Sequence, residues 1–349
     1  MISLDSFLQQ AAQMQASDLH LISDLPAFVR VNGLLTELDK KVLKSNEIEL
    51  LVRKSLGEEK FEKFSKLKEL DLAYEISDGT RFRINFHWEK NNISLAARTI
   101  PQEIPTMEDI EMPEIMYDLC SYNRGLILVT GPTGCGKSTS LAAMINYINQ
   151  NRRTNIITLE DPIEFVFKPI KSIIRQRQLG SDMLTFEDGL IHVLRQDPNV
   201  IMVGEMRNLE TIAATITLAE TGHLVFATLH TYSAAQTIDR IIDIFPPHQQ
   251  NQVRMQISIT LKGIIAQRLL PRIDDGRVAA REVLINTPAI ANLIRENKVA
   301  QINTAIQTGG KEGMITMDSA LNKLYKKREI TQETMEENLS IDKVKSRLL

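Results

Sequence analysis

The chain has 349 residues, 43% of them hydrophobic and 24% charged, which is long enough for two domains and argues against a disordered or low-complexity protein. The formal net charge of -3 excludes a global basic field that would hold a polyanion such as DNA. The only cysteines, Cys120 and Cys135, form no CxxC pair, which argues against a disulfide framework or a cysteine zinc site and favours a reducing compartment.

The first hundred residues have the patterns of a mixed α+β domain. Apolar residues at 4, 7, 8 and 11 predict a helix, and "DLHLI" and "AFVRV" alternate like half-buried strands before a turn at Asn32-Gly33. A second turn at Asp78-Gly79 precedes "TRFRINFHW", whose apolar residues share one face while Arg83 lies on the other. The strand "ISLAARTI" follows and contains Arg98.

Prolines then mark a boundary between domains. Pro101 and Pro105 break regular structure, so we place a first domain at 1–100, a linker at 101–118 and a second domain at 119–349.

The second domain is predicted to be α/β. Short, nearly continuous apolar strands ("GLILVT", "NIITLE", "NVIMVGE", "HLVFATLH") alternate with helical stretches, as in a largely parallel sheet covered on both faces. A strand "AAREVLI" and further helices follow. There Met314, Met317, Leu321 and Leu324 are predicted to share one helical face and to pack in the core. The final "SIDKVKSRLL" is expected to fray.

A phosphate-binding loop is the firmest prediction. "GPTGCGKST" at 131–139 fits GxxxxGK[ST] between an apolar strand and a helical stretch. Its residues are Gly131, Pro132, Thr133, Gly134, Cys135, Gly136, Lys137, Ser138 and Thr139. Backbone N–H groups would cradle a nucleotide phosphate, Lys137 would reach the β- and γ-phosphates, and Ser138 would bind Mg²⁺.

Two alternatives remain open at this loop. The first is a glycine-rich turn that binds no phosphate. The second concerns Cys135, whose thiol pKa a helix N-terminus could lower; the plainer interpretation is a small residue that fills a small space.

The strand "VIMVGE" ends in Glu205, which we predict to be the general base. In P-loop NTPases a second apolar strand ends in an acidic residue that faces Mg²⁺ and the γ-phosphate, and Gly204 stands where many families have aspartate. The alternative is a carboxylate favoured by the dipole of the helix "NLETIAATITLAE".

Further candidates cluster at two other strand ends. Glu160, Asp161 and Glu164 surround Pro162 and are expected to order Mg²⁺ and its water shell, although a solvated turn is the alternative. His223 and His230 bracket "LVFATL"; each could be structural, and His230 could also sense the γ-phosphate through a hydrogen bond.

These motifs together resemble the secretion ATPases of the type II and type IV pilus superfamily, most closely the PilT-type pilus retraction ATPases. The resemblance runs through "ASDLHL", "RFRINFHW", "GPTGCGKSTSLAAMI", "LEDPIEF", "VGEMRNLETI", "AETGHLVFATLHT" and "AIQTGG". It implies an N-terminal PAS-like domain followed by a RecA-like P-loop ATPase domain with additional C-terminal helices. It also implies a homohexameric ring, with ATP between the two domains.

The same resemblance assigns roles by position. Lys137 and Ser138 match the Walker A motif; Glu160, Asp161 and Glu164 match the Asp box; Glu205 matches the Walker B base; His223 and His230 match the His box. Arginines of the N-terminal domain reach the nucleotide in the family, which makes Arg83 and Arg98 the candidates, and Glu164 is a further Mg²⁺ candidate.

The predicted function is therefore an ATP- and Mg²⁺-dependent motor for type IV pilus retraction. The segment "AIANLIRE" at 289–296 resembles the AIRNLIRE signature of retraction ATPases, with Ala291 in place of its first arginine. The expected partners are an inner-membrane platform protein and a paralogous retraction ATPase, and no nucleic acid is expected. No apolar run approaches the roughly 18 residues of a membrane span, so the expected location is cytoplasmic, peripheral to the inner membrane.

Other functions stay open at this point. Some stretches, including "LKGIIAQRLLPR", look as much like a PilU-type accessory retraction ATPase. Less favoured alternatives are a secretion or assembly ATPase, a nucleic-acid translocase on the same core, and a scaffold that binds ATP without hydrolysing it.

Overall fold

The structure is a computed structural model that describes residues 3–31, 33–100, 103–274 and 276–339. The chain forms two compact units. One contains Met1–Glu103 together with Pro162–Val166, and the other contains Ile104–Asp161 together with Phe167–Leu349.

The first unit is an antiparallel sheet with two helices. In chain order its elements are α1 (Leu4–Gln13), β1 (Asp18–Leu21), β2 (Pro26–Val31), β3 (Leu34–Val42), α2 (Ser45–Leu67), β4 (Glu69–Glu75), β5 (Arg81–Glu89) and β6 (Asn92–Ile100). The strand order is β3-β2-β1-β6-β5-β4. The predicted turn at Asp78-Gly79 joins β4 to β5, and Gly33 precedes β3; Asn32 lies outside the described residues.

Alternation along the strands separates a core face from a polar face. Phe82, Ile84 and Phe86 of β5 are buried and pack in one cluster with residues of both helices. On the opposite face Arg83 is paired across the sheet with Arg98. The predicted faces of this strand are therefore confirmed.

The second unit contains the parallel sheet and most of the helices. In chain order its elements are α3 (Ile115–Ser121), β7 (Gly125–Thr130), α4 (Lys137–Asn151), β8 (Asn155–Glu160), β9 (Ile173–Gln178), α5 (Phe186–Val193), β10 (Val200–Val203), α6 (Leu209–Glu220), β11 (Leu224–Leu229), α7 (Ala234–Asp243), α8 (Pro247–Thr260), β12 (Leu261–Pro271), β13 (Arg277–Ile285), α9 (Pro288–Arg295), α10 (Ile302–Thr308), α11 (Met317–Lys326) and α12 (Gln332–Asn338).

The strand order of this sheet is β13-β12-β7-β11-β10-β8-β9. All neighbours are parallel except β13, which runs antiparallel to β12. Every residue of β7, β10 and β11 is buried, as expected of strands covered on both faces. The predicted fold class, including additional C-terminal helices, is confirmed.

Part of one helix prediction was wrong. Met317, Leu321 and Leu324 pack together from α11, but Met314 lies before the helix and packs in the main core of the unit. A helix that begins after the N-cap Thr316 cannot include Met314 in its face, although all four side chains are buried as predicted.

Two other features complete the description. Within the part of the chain that the structure describes, no helix is both long and apolar enough to cross a bilayer. The residues predicted to fray, 340–349, lie outside the described part of the chain. Pro101 and Gln102, at the start of the predicted linker, lie outside it as well.

Candidate functional site

The loop at 131–136 joins the end of β7 to the start of α4, in the place that a phosphate loop requires. Gly131, Gly134 and Gly136 have φ angles of 143°, 78° and 85°. At Gly131 a Cβ atom would also lie 2.3 Å from the backbone oxygen of Gln267, so no larger residue fits there. The glycines therefore set the curvature of the loop.

Helix α4 begins directly after this loop. Its N-cap is Gly136, and Lys137, Ser138 and Thr139 form the first turn. The first amide groups of a helix lack partners within the helix, and together with the helix dipole they attract a phosphate group. Thr133 and Gly134 are exposed at the mouth of the loop.

Cys135 is buried in the loop, and burial raises the pKa of its thiol although the neighbouring Lys137 opposes that shift. The direction of this pKa shift is opposite to the alternative in which the helix N-terminus lowers the pKa of the thiol. The interpretation as a small residue that fills a small space agrees with the structure, because a Cβ atom at Gly131 would approach Cys135 Sγ to 2.6 Å.

Lys137 reaches back along its own loop. Its Nζ atom donates to the carbonyl oxygens of Gly131 at 2.8 Å and Pro132 at 3.1 Å, and lies 3.5 Å from Nδ1 of His230. The ammonium group thus lies beside the loop with carbonyl partners that phosphate oxygens could replace.

Glu205 follows the end of β10 and has two charged or polar neighbours. Its Oε2 atom accepts from Arg207 Nε at 2.8 Å, and its Oε1 atom lies 3.0 Å from Nε2 of His230. The hydrogen bond to Glu205 raises the pKa of Arg207. Helix α6 has its N-cap at Asn208, whose side chain accepts from Thr211 N, so the alternative role of Glu205 as the N-terminal carboxylate of this helix has no support in the contacts.

Gly204 has a steric reason to be glycine. Its N–H donates to the backbone oxygen of Leu159 at 2.8 Å, and a Cβ atom would lie 3.0 Å from that same oxygen. The chain at the end of β10 therefore runs close against β8, and the acidic side chain is that of the next residue, Glu205.

The guanidinium group of Arg207 links Asp161, after the end of β8, to Glu205, after the end of β10. Nη1 of Arg207 lies 3.4 Å from Asp161 Oδ2, while its Nε binds Glu205. Arg207 was not among the residues predicted to act at the site; its position two residues after the predicted base was the available signal.

The predicted Asp box is split between different surroundings. Glu160 is buried and its Oε1 atom accepts from Thr158 Oγ1 at 2.6 Å and Gln176 Nε2 at 3.0 Å. Asp161 is paired with Arg207, and Glu164 belongs to the first unit. The proposed roles of all three in ordering Mg²⁺ stay predictions.

The two histidines lie at opposite ends of β11. His230 is at the edge of the sheet that carries the loop, whereas the backbone oxygen of His223 accepts from Gly125 N, at the start of β7. The intervening strand separates them by about 20 Å. His223 Nδ1 lies 3.0 Å from the backbone oxygen of Leu218. His223 was predicted to bind nucleotide, but the structure does not place it beside the phosphate loop of its own chain.

The predicted arginines lie together on the polar face of the first unit. Arg98 Nε donates to Asp18 Oδ1 at 3.0 Å, and Arg83 Nε lies 3.9 Å from Asp71 Oδ1. Both guanidinium groups remain substantially exposed. Their reach to a nucleotide stays a prediction.

A cavity of about 400 Å³ opens beside the loop. It is lined by Pro132, Thr133, Gly134, Cys135, Tyr232, Arg268, Leu269, Leu270 and Asn338. Among the described residues no three His, Cys, Asp or Glu side chains converge in a way that could hold a metal ion.

Comparison with known proteins agrees with these features. A family model described as "Type II/IV secretion system protein" matches residues 2–340. The type IV pilus retraction ATPase PilT of Pseudomonas aeruginosa is 44% identical over 340 residues, which cover 97% of this chain and 99% of that protein. The type IV pilus ATPase PilU of the same organism is 39% identical over 95% of this chain and 87% of that protein.

A solved structure extends the similarity to three dimensions. The crystal structure of the pilus retraction motor PilT with bound ADP matches with a TM-score of 0.93 at 44% identity. The match covers 99% of this chain and 100% of that chain.

Proposed function

The chain belongs to the type II/IV secretion system protein family, and on that basis we propose that it is an ATP-hydrolysing motor for type IV pilus retraction. One observation carries the catalytic part of the proposal. His230 lies between Lys137 of the phosphate loop and Glu205, 3.5 Å from one and 3.0 Å from the other.

The loop would bind the phosphates of ATP. Its N–H groups and the N-terminus of α4 supply donors, and Lys137 would exchange the carbonyl oxygens of Gly131 and Pro132 for phosphate oxygens. The cavity beside the loop would receive the nucleoside, because its volume of about 400 Å³ lies in the range of small-molecule sites. A related protein of known structure holds ADP.

Mg²⁺ is the cation of the proposal, because hydroxyl and carboxylate oxygens are the ligands that it prefers. We assign Ser138 in the first turn of α4 as one ligand, with Glu164 and the carboxylates of Glu160 and Asp161 ordering the surrounding water. Mg²⁺, when bound, neutralises charge on the β- and γ-phosphates.

Glu205 would act as the general base for hydrolysis. In the described geometry Arg207 and the Nε2–H of His230 hold its carboxylate. With Nε2 protonated, Nδ1 of His230 is left to accept from Lys137, so one neutral tautomer satisfies both contacts. A water beside Glu205 could then be aligned with the γ-phosphate and lose its proton to the carboxylate.

The mechanical part of the proposal follows the retraction relatives. We propose a homohexameric ring that is held peripherally at the inner membrane by a platform protein on which it acts, as the family resemblance implies. Arg83 and Arg98 would supply positive charge to the γ-phosphate as arginine fingers do. The "AIANLIRE" segment forms most of helix α9 and its C-cap Glu296, and it exposes Asn292, Arg295 and Glu296 as candidate contacts in this machinery.

Steady-state ATPase assays test the catalytic proposal. Glu205→Gln should lower kcat by about 100-fold or more, because the amide cannot accept the proton, while nucleotide binding persists. Lys137→Ala should abolish nucleotide binding. Glu210→Gln, at an exposed glutamate in the first turn of α6, is the matched control and should behave as wild type. Wild-type turnover in Glu205→Gln would remove the base assignment.

The similarity to PilU supports a second candidate, an accessory retraction ATPase. Complementation separates the two. In a host lacking this gene and its paralogues, the wild-type chain alone should restore twitching and Glu205→Gln should not. Restoration only in the presence of the paralogous motor would assign the accessory role.

A further inference from the structure

A buried glutamine lies beneath the phosphate loop. Gln267 belongs to β12, which pairs with β7 so that Ala266 lies opposite Thr130, the last residue before the loop. The side chain is 1% exposed. Its Nε2 atom donates to the backbone oxygen of Cys135 at 2.7 Å, and its Oε1 atom accepts from Ser140 Oγ at 2.9 Å. One amide therefore joins a strand, the loop and helix α4.

The loop packs directly against this strand position. A Cβ atom at Gly136 would lie 3.4 Å from Gln267 Nε2, and one at Gly131 would collide with the Gln267 backbone oxygen. The side chain thus contacts the loop near its end, while the backbone fixes the loop at its beginning.

The bond to Cys135 determines which way one peptide group faces. The C=O of Cys135 and the N–H of Gly136 belong to the same planar trans peptide, so they point in opposite directions. With the oxygen held on Gln267, the Gly136 N–H points away from the Gln267 side chain. The reversed peptide would present a carbonyl oxygen to a phosphate, which repels it.

The hydroxyl of Ser140 fixes the orientation of the amide itself. A backbone carbonyl only accepts hydrogen bonds, so Cys135 requires the NH₂ end of the Gln267 side chain. Ser140 donates to the other end and leaves the NH₂ group facing the loop. Ser140 is itself 1% exposed, so water does not compete readily for this contact.

We infer that Gln267 is a positioning residue that holds the Cys135–Gly136 peptide of the phosphate loop in its anion-binding orientation. The inference rests on the proposed function, because the ligand of the loop is taken to be a nucleotide. Gln267 acts through the loop backbone and needs no contact with the nucleotide. The loop holds phosphates in the ground state and the transition state alike. Removal of the Gln267 amide should therefore raise KM more than it lowers kcat.

The test compares two full-length Gln→Met variants. Gln267→Met keeps the length of the side chain but removes the donor to Cys135. Gln250→Met removes a matched donor, since Gln250 Nε2 binds the backbone oxygen of Phe245 at 3.1 Å, away from the loop. We expect Gln267→Met to weaken MgADP by about tenfold in calorimetric titration, as for one lost hydrogen bond of a buried group. Gln250→Met should bind as wild type, with a similar change in Tm.

The other possible results of these titrations separate the role of Gln267 from the proposed function. If Gln267→Met binds MgADP as tightly as wild type, the inference is wrong, although the proposed function stands. If wild type itself does not bind MgADP, the proposed function fails first. Should Gln267→Met not fold, Ser140→Ala decides: it removes only the hydroxyl that orients the amide, and MgADP affinity should fall about threefold. Unchanged affinity in Ser140→Ala would then overturn the inference.

Discussion

His230 is the residue that connects the two charged side chains proposed to carry out hydrolysis. Its ring lies between Glu205 and Lys137, with Nε2 at 3.0 Å from Glu205 Oε1 and Nδ1 at 3.5 Å from Lys137 Nζ. An alanine at this position would remove the contact at Oε1 of Glu205, keep the hydrogen bond from Arg207 Nε at Oε2, and free the orientation of the carboxylate. The histidine thus acts through the geometry of the base.

We expect His230→Ala to lower kcat by about 10- to 100-fold with a smaller change in KM, because orientation of a general base affects the transition state most. Steady-state kinetics with ATP measure this. His248→Ala, at an exposed histidine of α8, is the control and should leave kcat unchanged. A selective rise in KM would instead assign His230 to nucleotide binding.

A second residue-scale prediction concerns Asp18 in the first unit. Burial alone would raise the pKa of this carboxyl, but hydrogen bonds from Ser17 and Arg98 outweigh it, and the pKa lies below its usual value of 3.8. A lowered folded-state pKa means that the carboxylate stabilises the fold above the unfolded value and that this stability is lost as pH falls through the folded value.

We therefore expect Asp18→Asn to lower the free energy of unfolding by about 1 kcal/mol at pH 7, with the difference from wild type shrinking below the usual pKa. Urea titrations followed by fluorescence of Trp88 report this unit, because Trp88 is the only tryptophan in the chain. Glu62→Gln, at an exposed residue of α2, is the control. A difference that is the same at pH 7 and pH 3 would contradict the assigned ion pair.

Sequence reasoning located the residues whose position follows from a local motif, although their roles stay predictions. Lys137 and Glu205 each follow a recognisable strand, and the structure brings both to one edge of the sheet through His230. It did not find Gln267, because that side chain reaches the loop from a strand 127 residues beyond Ser140. Contacts over such separations depend on the strand order, which the local pattern does not specify.

Among the secondary-structure elements, strand β13 binds the segment at residues 110–111, near the start of the second unit, through one buried arginine. Arg281 is buried, and its Nη1 atom donates to the backbone oxygens of Ile110 at 2.9 Å and Glu111 at 3.3 Å. Burial lowers the pKa of this guanidinium to about 10. The Glu111 side chain is held from outside by Arg272 and Lys327.

We expect Arg281→Met to loosen this segment with little effect on Tm. The two carbonyl groups lose their donor, but relief from burying a charge offsets part of that cost. Hydrogen exchange at the amides of Glu111 and Met112, which close turns onto Glu108 and Met107, should accelerate roughly tenfold. Arg277→Met, on the exposed start of the same strand, should leave that exchange unchanged. Equal protection in Arg281→Met would show that the outer ion pairs suffice.

Helix α2 and strand β12, whose hydrophobic patterns are interrupted, were not predicted. Helix α2 was missed because Gly57, at φ 72°, interrupts it and shifts the phase of its buried residues. Strand β12 was not predicted because "LKGIIAQRLLP" places Gln267 and Arg268 among its apolar residues. The structure gives these polar residues partners, Gln267 at the loop and Arg268 at the backbone oxygen of Asn338.

Over the full chain, the residues that the family resemblance assigns to hydrolysis are distributed over both compact units. Lys137, Ser138 and Glu205 belong to the second unit, whereas Arg83, Arg98 and Glu164 belong to the first. Local periodicity predicts the fold of each unit by itself.

A ring of coupled subunits makes one prediction that independent subunits do not. When wild-type and Glu205→Gln chains are co-expressed and purified as mixed assemblies, ATPase activity should fall more steeply than the fraction of wild-type chains. The reason is that a subunit unable to hydrolyse ATP halts the domain movement that its neighbours require. Mixtures with Glu210→Gln should retain full activity at every ratio. Activity strictly proportional to the wild-type fraction would mean that each subunit hydrolyses ATP independently of its neighbours. The proposed transmission of force around a ring would then be wrong, although the wild-type chains hydrolyse ATP.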